Sequence, residues 1–205
     1  MLLLLWIVNC IISIFNAWGC GKTWNETKAN GGMPHFMNWM GAVMSASGFT
    51  WCYLVLAVCA AALIPYPHTV AGHEVTAPLL DEASAVAVGQ LGYMVIILPV
   101  LGSGIAIGVH SWGVMWRRRT FGSTAVSAWN TFANVENVYH AARDIPGVWG
   151  SLSGFFGSDS KSRDSKAIVV ALVIMACVAG ILTTWSIVAA TRRASATGRS
   201  LRYGA

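Results

Sequence analysis

The first residues that could perform chemistry are Gly21, Lys22 and Thr23, in the stretch WGCGKTWN. A Gly-Lys-Thr triplet ends the phosphate-binding loop of nucleotide hydrolases, where backbone amides and the lysine hold the phosphates. That loop also requires a glycine five positions before the glycine of the triplet, and Asn16 occupies this position here. The segment before the triplet is apolar and predicts a helix, whereas a phosphate-binding loop follows a β-strand. We therefore interpret Lys22 as a residue at the lipid headgroups and predict no nucleotide site.

A second set of candidate residues lies in the segment 66–82, which contains two histidines and three carboxylates. They are His68, His73, Glu74, Asp81 and Glu82. Such side chains can bind a metal ion, but these show no fixed ligand spacing, and prolines interrupt the segment. None of the five cysteines forms a Cys-x-x-Cys pair. The sequence therefore predicts a solvated acidic loop, no metal or cofactor site, no catalytic residues and no enzyme.

The composition is that of a membrane protein. Of the 205 residues, 56% are hydrophobic and 10% are charged, against about 25% charged in soluble domains. Four segments without Asp, Glu, Lys or Arg approach or exceed the roughly 20 residues that a transmembrane helix needs. Helix is expected because a bilayer cannot satisfy backbone polar groups. We predict an all-α, multi-pass integral membrane protein with a single membrane domain. Its four transmembrane helices are predicted at about 2–18, 38–65, 84–112 and 167–191.

Small residues recur at helical spacing within two of these predicted spans. They are Gly41, Ser45, Gly48 and Cys52 in the second span, and Gly89, Gly92, Gly104 and Gly108 in the third. Such faces let two backbones approach closely, which favours helix association in lipid. Glycine is also simply common in membrane helices, but the shared face favours packing. The partner helix belongs either to the same chain or to another.

Between the third and fourth spans, apolar residues recur at spacings of three and four, with polar residues largely off the stripe. This pattern predicts a cytoplasmic amphipathic helix over about 123–143. A hydrated linker is predicted over about 146–166, because Pro146 and several glycines break the pattern. Three preceding arginines favour anionic headgroups or an acidic partner. The predicted docking residues are Arg117, Arg118, Arg119, Phe121, Trp129, Phe132 and Tyr139.

The distribution of Lys and Arg predicts the orientation in the membrane. The loops before the second span and after the third span are rich in these residues, whereas the segment 66–82 has none. Because basic loops stay in the cytoplasm, we expect the segment 66–82 on the outer side. With these four spans, the C-terminal tail also lies outside. Its four arginines (Arg192, Arg193, Arg199 and Arg202) conflict with the same rule.

The stretches RRRTFG (117–122) and VYHAAR (138–143) resemble a motif found after a membrane helix in proteins of integrating conjugative elements. The resemblance covers twelve of 205 residues, and no family is adopted from it. The apolar segments lack the acidic and basic residues that mark ion pumps and carriers. We therefore expect a structural or assembly subunit of a larger multi-protein membrane complex. The alternative is a homo-oligomeric channel or small-solute pore. The expected partners are the lipid bilayer and other membrane protein subunits or copies of this chain, without nucleic acid.

Overall fold

The computed structural model describes residues 11, 14, 17–18, 35–70, 72–159 and 161–203. Within these residues the chain forms four long helices and one β-hairpin. In chain order they are α1 (His35–Leu63), β1 (Pro65–Val70), β2 (His73–Pro78), α2 (Glu82–Arg118), α3 (Phe121–Gly157) and α4 (Arg163–Tyr203). Three helical segments of the described chain are long and apolar enough to cross a membrane, at 39–63, 82–118 and 163–190. The prediction of a largely helical membrane protein is confirmed to this extent. The predicted first span, 2–18, lies almost wholly outside the described residues.

The segment that was predicted to be a loop forms an antiparallel hairpin, with register from Pro65 opposite Pro78 to Val70 opposite His73. The two outer prolines do not prevent pairing, because they stand at the ends of their strands, where a missing amide is tolerated. Gly72 adopts φ of +85°, the left-handed conformation that a tight hairpin turn needs. The hairpin joins α1 to α2, and the Leu80 amide donates to the Ala61 carbonyl oxygen at 3.0 Å.

All four helices run between the same two ends of one antiparallel bundle. We call the end with the β-hairpin the hairpin end, and the end with the α2–α3 turn at Arg119 and Thr120 the far end. Contacts of α2 with α1 pair Gly92 with Leu54 and Gly104 with Met44. Antiparallel packing of α4 on α1 places Gly180 beside Thr50.

The third helix follows α2 along its length. The turn is tight: Arg119 is left-handed, and Thr120 caps α3 through a capping box with Ser123. Near the far end, the Trp112 indole Nε1 donates to Thr131 Oγ1 at 2.8 Å. At the hairpin end, just beyond the last turn of α3, Lys161 pairs with Asp81. The two helices therefore run side by side and antiparallel from one end of the bundle to the other.

The core near the hairpin end receives side chains from all four helices. Its buried members include Leu54, Ala61, Val88, Leu152, Val169 and Val173. Leu152 shows that α3 belongs to this bundle and does not form a separate domain. In a bilayer such residues stabilise the bundle through close van der Waals packing, because lipid is as apolar as the core.

The predicted linker over 146–166 is wrong for most of its length, because α3 continues to Gly157. Pro146 removes a single backbone donor. That cost is offset where Val148, Leu152 and Phe155 pack against the core. The Lys166 ammonium then donates to the carbonyl oxygens of Phe156 at 2.9 Å and Ser158 at 2.8 Å. Those contacts satisfy carbonyls that the end of a helix leaves unpaired.

Asp81 is the N-cap of α2, and its carboxylate accepts from the Ser84 amide at 2.8 Å. The Lys161 ammonium and the Ser84 groups lower the pKa of Asp81 from 3.8 to about 2. Because the folded-state pKa is depressed, the stabilisation is complete above pH 3.8 and is lost as the pH falls through about 2. The carboxylate is exposed, so solvent reduces the size of this contribution.

Candidate docking face

The contact between α2 and α3 is built on glycines of α2 and an asparagine of α3. The Asn134 Nδ2 donates to the Gly104 carbonyl oxygen at 2.8 Å. A Cβ added at Gly108 would lie 2.7 Å from the same Asn134 Nδ2, and Gly104 is equally crowded by Asn134. Gly104 and Gly108 thus form a notch that admits the amide, and a Cβ at either position would displace the amide from its place.

The polar side of α3 faces inward. Ser127 is completely buried and donates to the Ser123 carbonyl oxygen at 2.9 Å. Thr131 accepts from Trp112 and donates in turn to the Ser127 carbonyl oxygen. Ser127, Thr131 and Asn134 lie at spacings of four and three, so they form a polar stripe along one side of the helix.

The aromatic side of α3 faces outward. Phe121, Trp129, Phe132 and Tyr139 are each at least 60% exposed. The rings of Trp129 and Phe132 lie 6.2 Å apart between centroids. A soluble amphipathic helix buries its apolar side, so this orientation is the reverse of the soluble pattern. We call this surface, which also includes Val135, the outward face.

An ionic cluster lies on the same side of α3. Arg143 donates to both carboxylate oxygens of Asp144, at 2.6 Å from Nε and 3.2 Å from the terminal nitrogen. His140 lies 3.6 Å from Asp144 and 3.9 Å from Glu136. The Arg143 guanidinium also lies 5.6 Å from the centre of the Tyr139 ring. Charged and aromatic groups therefore share one exposed surface.

The ionic cluster is level with the middle of two candidate spans. Asp144 borders the same cavity as Tyr93 of α2, and Asn134 contacts Gly104, so the cluster lies beside the segment 93–104. That segment packs against 44–54 of α1, as the Gly92–Leu54 and Gly104–Met44 contacts show. Both segments fall well inside the apolar stretches 82–118 and 39–63.

The remaining predicted residues are placed as follows. Ser45 is fully buried and accepts from Thr184 Oγ1 at 3.1 Å, and Cys52 is also buried. Gly41 is buried and Gly48 is half-buried. Gly92 meets Leu54 closely, but no described atom lies within 4 Å of a Cβ added at Gly89, so Gly89 makes no close helix contact. The arginines Arg117, Arg118 and Arg119 are exposed at the far end.

Sequence patterns overlooked the role of Asn134, which lies among the polar residues off the apolar stripe. The available signal was the match between two spacings. The Gly104 and Gly108 pair on α2 supplies a notch, and the stripe of Ser127, Thr131 and Asn134 supplies hydrogen-bonding groups that could fill it.

No family model, curated protein or solved structure matches this chain. The function is therefore inferred from the geometry.

Proposed function

We propose that this protein is a structural or assembly subunit of a larger membrane complex, and that the outward face of α3 docks a partner membrane protein. The observation that carries the proposal is the exposed ionic cluster, which lies among aromatic side chains at the level of the candidate spans. Its members are Glu136, His140, Arg143 and Asp144.

The proposal includes a membrane position for α3, beside α2, as a fourth crossing of the described part of the chain in addition to its three candidate spans. Seven arginines belong to the far end, either at the α2–α3 turn or on the C-terminal part of α4. They are Arg117, Arg118, Arg119, Arg192, Arg193, Arg199 and Arg202. The hairpin end has three basic residues, Lys161, Arg163 and Lys166, together with several acids. The far end is therefore assigned to the cytoplasm by the positive-inside rule. This orientation removes the conflict over the arginine-rich tail.

Contact with lipid is energetically unfavourable for the ionic cluster. Arg or Asp at the centre of a lipid-facing helix costs about 2.5–3.5 kcal/mol on insertion scales. The Arg143–Asp144 pair reduces this cost, but its groups are exposed and stand too far from either end of the bundle to reach headgroup water. A partner helix would replace lipid around these groups. Arginine and aromatic residues are also the side chains enriched at the energetic centres of protein interfaces.

A homo-oligomeric pore is the second candidate, and the same cluster favours it in one respect. Its groups carry both signs and would tolerate a water-filled space between copies of α3, as pore-lining residues do. A subunit docked to a different protein predicts a heterologous partner at fixed stoichiometry. A pore predicts a self-contained ring with conductance.

The proposal is tested with the variant Trp129→Ala and Phe132→Ala, which removes two exposed rings without touching the α2 notch. We expect co-purification of the partner from native membranes to fall by about tenfold or more, since two interface aromatics typically contribute at least 1–2 kcal/mol each. The measurement is quantitative mass spectrometry of tagged protein extracted in mild detergent.

The matched control is Ile174→Ala with Val178→Ala, which removes two exposed apolar side chains of α4. This control should retain every partner. Undiminished co-purification by the Trp129 and Phe132 variant, at equal expression, would show that the outward face is not the docking surface.

A further inference from the structure

A cavity of about 480 Å³ lies between α1, α2 and α3, on the side of the bundle near the hairpin end. Its wall is almost entirely apolar and contains only a few polar side chains, among them carboxylates and an amide. The apolar lining comprises Trp51, Leu54, Val55 and Val58 of α1, Ala85, Val86 and Gly89 of α2, and Val148 of α3. This volume falls in the range of small-molecule sites in proteins.

The cavity has the length of one bilayer leaflet. Its lining on α2 extends from Glu82 to Tyr93, eleven positions along the helix, or about 16 Å at 1.5 Å per residue. One leaflet contributes about half of the roughly 30 Å of hydrocarbon. Two of the three walls are candidate spans, so in a bilayer the medium at this depth would be lipid acyl chain.

The mouth of the cavity carries a carboxylate. Glu82, exposed in the first turn of α2, lines the cavity where the apolar stretch of that helix begins. The adjacent residue Asp81 holds the ammonium of Lys161. The Glu82 carboxylate at the mouth matches the charge of a lipid headgroup whose cationic part is a primary amine.

We propose that this cavity binds one acyl chain of a phospholipid with a primary ammonium headgroup, and that Glu82 receives the ammonium. The acyl chain lies parallel to α2, from the hairpin end toward Tyr93. A primary ammonium donates three hydrogen bonds to carboxylates, whereas a quaternary ammonium such as that of choline donates none. Glu82 therefore selects between the two headgroups. The inner end of the lining includes Asp144, which also belongs to the ionic cluster.

Gly89 allows the cavity to be filled without disturbing the bundle. No described atom lies within 4 Å of a Cβ added there, and the residue lines the cavity. Gly102 is the matched control, since it lies on the same helix, also has no described atom within 4 Å, and is absent from the lining. The variants are Gly89→Phe and Gly102→Phe.

The experiment uses purified full chain in nanodiscs of equal phosphatidylethanolamine and phosphatidylcholine, with native mass spectrometry of retained lipids. Wild type and Gly102→Phe should retain one more lipid than Gly89→Phe, with phosphatidylethanolamine enriched about two- to fivefold, the range of a single exposed ion pair. Glu82→Gln should keep the lipid and lose the enrichment. Glu74→Gln, an exposed acid of the hairpin, should keep both.

Two results would overturn the proposal separately. Equal lipid retention by wild type and Gly89→Phe would show that the cavity holds no chain. Equal retention of the two lipids by wild type would show that Glu82 does not select the headgroup. Elution of each variant as a monodisperse peak with unchanged helical circular dichroism establishes that loss of lipid does not come from misfolding.

Discussion

Gly180→Ala is expected to destabilise the protein by about 1–3 kcal/mol, the usual cost of overpacking a core. A Cβ at this position would lie 2.7 Å from the Thr50 backbone nitrogen and 2.8 Å from the Ala46 carbonyl oxygen. Neither atom can move without shifting α1 away from α4. The loss is expected although alanine is intrinsically a better helix former than glycine, by about 1 kcal/mol.

The control for this variant is Gly102→Ala, the same change on α2 where no described atom lies within 4 Å of the added Cβ. It should be neutral or slightly stabilising. Reversible unfolding in mixed detergent micelles measures both free energies. A Gly180→Ala protein as stable as Gly102→Ala would contradict the close approach of α1 and α4.

Asn134→Leu is expected to cost about 2–4 kcal/mol and to loosen α3 from α2. The change removes the hydrogen bond to the Gly104 carbonyl oxygen, and a partner lost at a buried site costs about 1–3 kcal/mol. Leucine also has a tetrahedral Cγ and two methyl groups where the flat amide fits against Gly104 and Gly108, which adds the cost of overpacking.

Asn137→Leu is the matched control, because Asn137 is half-buried on the same helix and is not among the side chains nearest to either glycine. Limited proteolysis near the α2–α3 turn and unfolding in mixed micelles measure the two effects. Equal protease resistance and stability of the two variants would contradict the claim that the Asn134 side chain in the notch holds α3 to α2.

The sequence contains enough information to locate the central part of this bundle. Long segments without charge mark α1, α2 and α4, because a helix in hydrocarbon cannot leave charged groups unpaired. The small residues Ser45 and Cys52 are buried, and Gly92 lies close to Leu54 of α1. Gly89 has the same spacing but lines a cavity instead, since spacing describes a face without showing what lies opposite it.

Sequence periodicity predicts part of the third helix, but for physical reasons it does not show which side of the helix faces outward or where the helix ends. Its aromatic stripe is visible at helical spacing, but in soluble proteins such a stripe faces a core, whereas here it faces outward, Ser127 is buried and Asn134 contacts α2. Two features hide the end of the helix as well. Pro146 is typical of a helix end, and the glycines that follow are typical of a linker. Packing by Leu152 nevertheless maintains the helix.

The membrane position of α3 is measured most directly by labelling single cysteines in intact cells with a membrane-impermeant maleimide. The variants are Arg118→Cys at the far end, and Asp159→Cys and His73→Cys at the hairpin end, in a chain without native cysteines. All three sites are exposed. If α3 crosses beside α2, positions 159 and 73 are labelled together from outside, and position 118 reacts only after permeabilisation. Protection of positions 118 and 159 together, with labelling of position 73, would show that α3 lies in a cytoplasmic loop and does not cross the membrane. That result would remove the membrane environment on which the proposed docking face depends.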